Sequence, residues 1–340
     1  MTAPVHIQAA GMVTCVGLDA ASSCAALRAR LDGFAETRFM GPDGEWLVGA
    51  AVPLPRNWIG VKRMAHLAAG ALSDLRHQTA TALDGVPILL CLAEDRRPGH
   101  PIPDPAAFVR LLAEILQIAP PRLQIIAHGR PSGFVALDRA RRLIAAGEDP
   151  VIILGLDSYL TAQTIAHYLG ENRILCPGNA NGFIPGEAAA AVLCTAAPGP
   201  LRLTGLGLAR ELAHIYNAAD KDGLDLPLRG DGMTRAYQLA MDETGCRHSD
   251  ITLKLGDLIG ESYWFKQTAL AMLRVQRERS PVHPIWTIAA SLGNIGAAAV
   301  PVMLAWAMAA FQRGYAPPGP TLLEATGDDG ACGAAVVVRS

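Results

Sequence analysis

Residues 124–158, QIIAHGRPSGFVALDRARRLIAAGEDPVIILGLDS, limit what this chain can fold into more than any other stretch. Leu123 to Ala127 is a short apolar run bounded by turn residues, the pattern of a strand buried on both faces. An abrupt turn follows at Gly129 to Gly133, where Pro131, Ser132 and Gly133 are residue types that punctuate and cap. Beyond it, Phe134, Val135, Leu137, Ala140, Leu143 and Ile144 recur at helical spacing, with Asp138, Arg139, Arg141 and Arg142 on the other side. Gly147 stops that helix, and Val151 to Leu154 reads as a second buried strand. Strand, helix and strand in this order form a crossover between parallel strands, which sets the Gly129–Gly133 corner at a strand's carboxyl end. Ligands and nucleophiles occupy that position in open α/β sheets.

A chain of 340 residues, 51% hydrophobic and 18% charged, buries enough surface for one large α/β body or two fused halves. Its formal net charge of −2 leaves no basic footprint for nucleic acid or an anionic membrane. The seven cysteines stand at no zinc-like or redox spacing, so no metal is expected, and they read as core residues in a reducing, cytoplasmic compartment. The amino-terminal MTAPVHIQAAGMVTCVG has no charged region before an apolar run and does not read as a signal peptide. Ile295 to Phe311 carries no charge over seventeen residues but is short for a bilayer, rich in Ala and contains Pro301, so a buried helix is expected there and no membrane span.

In order, the chain predicts a strand and corner over Val5 to Gly17, a helix to about Leu31, and a loop-like Gly33 to Pro55 with a strand within Trp46 to Val52. A helix over Arg63 to His77, a strand over Pro87 to Leu92, a polar loop from Glu94 and a helix over Pro105 to Gln117 follow. After Tyr159 come a short helix, a loop over Glu171 to Gly182 and a strand over Ala188 to Thr195. The APGP turn within Ala196 to Pro200 is the clearest boundary. The second half then replays the first: strands at Arg202 to Leu208, Ile251 to Leu255 and Trp286 to Ala290, helices at Gly232 to Glu243 and Ser262 to Val275, a glycine corner at Gly293 to Gly296 and an Ala-rich helix to Gly314. The last run ends in the strand Ala334 to Val338, after a turn at Gly327 to Gly330. Two related α/β halves, 1–197 and 198–340, with their glycine corners meeting between them, account for this repetition.

Several pieces resemble one family, the β-ketoacyl synthases of the thiolase superfamily. They are GMVTCVG at Gly11 to Gly17, the Arg-x-x-Gly corner and Ala/Arg helix at Arg130 to Gly147, VIILGLDS at Val151 to Ser158, GFIPGEAAAAVL at Gly182 to Leu193, and IGAAA at Ile295 to Ala299. GFIPGEAAAAVL is the most specific, since Gly182, Phe183, Gly186 and Glu187 match residues that such synthases carry. The resemblance spans nearly the whole chain and implies a five-layered αβαβα thiolase-like fold of duplicated halves. It also implies a homodimer or a heterodimer with a homologue. The chain is shorter than typical members, so capping loops are expected to be missing.

The same resemblance makes the departures readable. Such synthases use a Cys nucleophile at the corner before the long helix and two His residues from the second half. Here the nucleophile's position is Arg130, whose protonated guanidinium has no free lone pair to attack a thioester. The first His position, after the strand Ile251 to Leu255, is Asp257. The second, before IGAAA, is Gly293 or Asn294. The glycine-rich corner of the oxyanion hole persists loosely as Gly327, Asp328, Asp329 and Gly330, where inward-pointing carboxylates would repel an oxyanion. A charge placed between two halves needs a partner, so Arg130 is expected to form a bidentate ion pair with Asp257 or Glu261, with Ser132 beside it, as a structural clasp. The competing expectation is that Arg130 snorkels to the surface.

Other nucleophiles are weaker. Ser132 lacks the Gly-x-Ser-x-Gly elbow and reads as a helix cap, and His128 beside a buried strand reads as a hydrogen-bonded core histidine. Cys176 is the cysteine in a polar neighbourhood, with only Arg173 nearby to activate it. Glu187 reads as a carboxylate bracing a turn, and Trp264, Phe265 and Trp306 as core. The chain contains no phosphate loop, and no cofactor is implied. The expected function is therefore a non-catalytic, synthase-like binding or adaptor module, with a carrier protein or a secretion-associated protein as partner. The secretion link is an association with a similar bacterial group of short synthase-like proteins. The alternative is an acyltransferase of the 3-oxoacyl-carrier synthase type, using a displaced nucleophile such as Cys176 or a catalytic partner subunit.

Overall fold

The computed structural model describes residues 4–217, 225–278 and 283–340. Its elements, in chain order, are β1 (Val5–Val13), α1 (Ala20–Ala29), β2 (Ala35–Met40), β3 (Trp46–Gly49), α2 (Gly60–His77), β4 (Ile88–Leu92), α3 (Pro105–Leu116), β5 (Leu123–Ala127), α4 (Ser132–Ala145), β6 (Val151–Ser158), α5 (Ala162–Gly170) and β7 (Glu187–Thr195). They continue with β8 (Leu201–Arg210), α6 (Asp231–Thr244), β9 (Leu253–Gly256), α7 (Ser262–Val275), β10 (Ile285–Thr287), α8 (Ala289–Leu292), α9 (Ala299–Gln312), β11 (Thr321–Thr326) and β12 (Ala331–Arg339).

Ten of the strands form one sheet in the order β10-β9-β11-β12-β8-β1-β7-β6-β4-β5. Each end of it has the same plan. In β5-β4-β6-β7-β1 the first two neighbour pairs are parallel and the last two antiparallel. The run β10-β9-β11-β12-β8 repeats those senses and the same permutation of chain order. The two five-strand runs join where Val5, His6 and Ile7 of β1 pair with Leu203, Arg202 and Leu201 of β8.

Strand periodicity builds the layers, because successive side chains point to opposite faces. Ala188, Ala190, Val192 and Cys194 of β7 turn into the central core with α4 and α9, while Ala189, Ala191 and Leu193 turn outward onto α2 and α3. In β12, Ala335 and Val337 face the same central core, and Cys332, Ala334 and Val336 face α6 and α7. The layers are therefore α2/α3, sheet, α4/α9, sheet, α6/α7. In α9 every residue but Ala309 and Gln312 is buried, which is why it carries no polar face. No described helix is long and apolar enough to cross a membrane.

Three local expectations fail. β5 is an edge strand with Ile125 47% exposed, rather than a strand buried on both faces, because β4 lies between β5 and β6. The stretch read as a loop before Trp46 contains β2, which pairs with β3 as a separate hairpin. The strand expected over Trp286 to Ala290 ends at Thr287, and Ala289–Leu292 turns into α8. The helices that follow the two glycine corners meet: a Cβ on Gly133 would stand 2.5 Å from Val300 Cβ, near the starts of α4 and α9.

Candidate functional site

The corner between β5 and α4 is built from local constraints. Gly129 has φ +60°, a left-handed conformation that favours glycine, and its N–H donates to Leu92 O at 3.0 Å. Ser132 opens α4 but does not cap it: its hydroxyl donates to Leu92 O at 3.3 Å and accepts from His128 N at 2.9 Å. It therefore ties the corner to β4 instead. His128 is exposed rather than a core histidine, since β5 lies at the sheet edge.

These ties aim Arg130 inward, where it is 1% exposed, so the surface alternative fails. Its Nη1 donates to Asp257 Oδ2 at 3.2 Å and its Nη2 to Asp328 Oδ1 at 3.2 Å. Its guanidinium carbon lies 4.0 Å from the centroid of the Trp264 ring, a cation–π contact. The expected bidentate pair is thus replaced by one contact to each of two acids. Glu261 belongs to another cation. Arg173 donates from Nε to Glu261 Oε1 at 2.7 Å and from Nη2 to Oε2 at 2.8 Å. Arg173 also reaches Asp328 Oδ2 from Nη1 at 2.7 Å, and it donates to the Tyr216 hydroxyl. Tyr168 OH donates to Asp328 Oδ2 at 3.2 Å, and Trp264 Nε1 donates to Glu261 Oε2 at 2.9 Å. Tyr159, Tyr168, Phe183 and Trp264 belong to one buried cluster beside these charges.

Asp257 is buried, and desolvation pushes its carboxyl up to about 6 even though Arg130 opposes the rise. Asp328 is desolvated too, but the guanidiniums of Arg173 and Arg130 outweigh that effect and hold it below the usual carboxylate range. Arg130 itself stays a cation: burial works against its charge, and Asp257 and Asp328 more than compensate. The groups that face one another at this corner are guanidiniums and hydrogen-bonded carboxylates.

Gly293 and Asn294 serve the second corner. Gly293 has φ +64°, and Asn294 N donates to Ile184 O at 2.8 Å while its side-chain Oδ1 accepts from Gly296 N at 3.1 Å. A second buried pair braces that corner. Arg97 Nη1 donates to Asp157 Oδ2 at 2.9 Å, and Nη2 binds Asp157 Oδ1. Asp157 Oδ2 also accepts from Ala297 N at 3.0 Å. Glu187 braces the chain as read: it takes Arg63 Nε at 2.9 Å, Val52 N at 2.9 Å and the Ser158 hydroxyl at 3.0 Å. Cys176 is half-buried against the aromatic cluster, and Arg173, its one expected activator, is committed to Glu261 and Asp328. Phe265 is 46% exposed rather than core, while Trp264 and Trp306 are buried.

The structure brings Arg130 and Asp257 into contact, and it adds Arg173, Arg97 and the inward turn of Asp328, which the sequence reading misses. Asp329 turns outward and accepts from Ala331 N at 3.0 Å. The two arginines lie outside the recognisable motifs and gave no periodic or spacing signal; an unbalanced count of acids near Arg130 was the available hint.

No protein-family model matches the chain. It is 22% identical over 211 residues to a Streptomyces cyaneus protein assigned as polyketide beta-ketoacyl synthase 2, covering 59% of this chain and 50% of that protein, so the chain spans about half the length of that curated relative. Among solved structures it superposes on a ketosynthase in complex with its chain length factor from Xenorhabdus doucetiae with TM-score 0.78 and 14% identity, covering 99% of this chain and 98% of that one. The ishigamide ketosynthase/chain length factor gives 0.75 at 16% identity, with both chains fully covered. A type II polyketide ketosynthase in complex with its acyl-carrier protein gives 0.77 at 15%, again with both fully covered. The chain has the thiolase-like ketosynthase fold.

Proposed function

We propose that this ketosynthase-fold chain is a non-catalytic binding module that works as one member of a two-chain assembly and engages a further protein. The observation that carries this reading is the clasp of Arg130, Arg173, Asp257, Glu261 and Asp328, which is built around Arg130 and Asp257, the positions where the resemblance requires the thiol and the first imidazole. A permanent cation hydrogen-bonded to carboxylates has neither the lone pair nor the tuned pKa of acyl-transfer chemistry. The chain divides, in this reading, into the halves 1–197 and 198–340, each built on one five-strand run.

Two surfaces favour partners. The free edge of β5 presents unpaired backbone and Ile125 to a second strand, the geometry of β-augmentation by another copy or a homologue. A cavity of about 720 Å³ lies between the β2–β3 hairpin and the start of α2, lined by Phe39, Leu54, Trp58 and Ile59. The exposed Arg38, Arg56 and Lys62 lie in its lining segments or beside them and have no carboxylate partner among the described residues. The acids in its lining are Glu36 and the Arg63-bonded Glu187. That combination of apolar wall and free cations fits an acidic protein, with a carrier protein as first candidate.

The test is intact mass after incubation with acyl- and malonyl-carrier thioesters. No covalent adduct is expected, together with co-elution of the unmodified carrier that Arg56→Glu/Lys62→Glu abolishes. An acyl adduct that disappears in Cys176→Ala would overturn the non-catalytic reading. Capture of a secretion-associated protein in place of the carrier would keep that reading and reassign the partner.

A further inference from the structure

The loop between β4 and α3 lies over the Arg130 corner, and its Glu94 has no place in the clasp. The Glu94 carboxylate packs against Gly129, at a point where a Cβ on residue 129 would collide with it. Its buried Oε2 has no hydrogen-bond partner. Three residues on, Arg97 gives Nη1 and Nη2 to Asp157, but its buried Nε is also without a partner. An orphan acceptor and an orphan donor thus sit on one turn, closed by Arg97 N donating to Glu94 O at 2.9 Å, and they do not meet. Buried polar atoms are rarely left so.

The charge count explains why Glu94 stays apart. Around it the guanidiniums of Arg97, Arg130 and Arg173 face the carboxylates of Asp157, Asp257, Glu261 and Asp328, three cations against four anions, all hydrogen-bonded within the set. A fifth carboxylate has no cation left to balance it. The charged groups that act on Glu94 are Arg97 from its own loop, Asp328 from the turn between β11 and β12 and Asp157 from β6, while the phenols of Tyr159, beyond β6, and Tyr168, from α5, lie within its field. His100, also on the loop, bonds through Nε2 to Ala93 O and accepts from Ile102 N at Nδ1, so it does not serve Glu94.

We propose that Glu94 is a proton-operated latch: neutral, it rests on Gly129 and holds the loop over the Arg130 corner, and ionised, it turns to Arg97 Nε and lifts the 94–97 turn off that corner. Burial, with Asp328 and Asp157 adding to it against the opposing Arg97, pushes the carboxyl up to about 7 in the closed form. An opened form in which the carboxylate regains an ordinary value of about 4.5 is then favoured about tenfold more at pH 8 than at pH 6. The latch stands independently of the partner reading, since it concerns one loop of the isolated chain.

Hydrogen exchange of the peptides spanning 93–104 in the full chain, measured from pH 6 to pH 8.5 and corrected for intrinsic exchange, tests it. Protection is expected to fall about tenfold between pH 6 and pH 8, and in Glu94→Gln to be independent of pH and no lower than the unmodified chain's at pH 6. If Glu94→Gln does not fold, Glu94→Met supplies the neutral side chain. Flat protection in the unmodified chain overturns the latch whatever the variants do, and so does a folded neutral variant that keeps the pH dependence.

Discussion

Arg130 is a buried cation whose cost of desolvation is offset by two carboxylates and an aromatic face, so its removal leaves acids without a counterion. Arg130→Met, close in length and apolar, is expected to cost about 3–5 kcal/mol at pH 8. The penalty should shrink at pH 5, because Asp257, already pushed up to about 6 by desolvation, takes up a proton more readily once the guanidinium is gone. Urea unfolding of both proteins at the two pH values checks this; an equal penalty at both would show that the clasp is not electrostatic. The intact chain has its own pH signature. Raised carboxyls stabilise the fold below their ordinary values and lose that contribution as pH rises through about 6 for Asp257 and about 7 for Glu94. Asp328, held low, contributes above its ordinary value and loses that contribution in acid. The urea midpoint is therefore expected to fall from pH 5 to pH 8, and Glu94→Gln should reduce that fall. A midpoint that rises over the interval would contradict the assigned directions.

At the scale of elements, the crossover from β5 through α4 to β6 was legible because its helix has one apolar face and its ends carry glycine and proline. Its environment was not. Whether Leu123 to Ala127 is central or at an edge depends on β4 inserting between β5 and β6, a long-range pairing with no local trace. The hairpin β2–β3 escaped for a related reason: AETRFM alternates weakly, and its partner strand supplies much of its order. The meeting of α4 and α9 is tight enough to predict an effect. Gly133→Val forces atoms into Val300 and Pro301 and is expected to lower stability by about 1–3 kcal/mol. Val300→Ala in the same chain should restore part of it, as neighbours that share one contact are not additive. Thermal unfolding of the single and double variants measures the coupling, and strict additivity would argue against the contact.

For the whole molecule, the repeated strand permutation makes two halves of one plan, and the ten-stranded sheet leaves β5 as a free edge next to the clasp's corner. If that edge recruits a second chain, light scattering should give twice 35.8 kDa for the isolated protein, or a heterodimer with its homologue. Ile125→Glu should then dissociate it without changing the near-ultraviolet circular dichroism. A monomer at micromolar concentration, with no homologous partner bound, would retire that surface. The sequence by itself determined the doubled α/β pattern, the corner at Gly129 to Gly133 and the arginine placed there, because periodicity, turn chemistry and side-chain type are local properties. Only the tertiary structure decided that Arg130 shares Asp328 with Arg173, that Glu261 serves the latter and that Glu94 is left over, because charges are matched by distance in space, and chain separations of 127 and 198 residues between Arg130 and its partners carry no local signal.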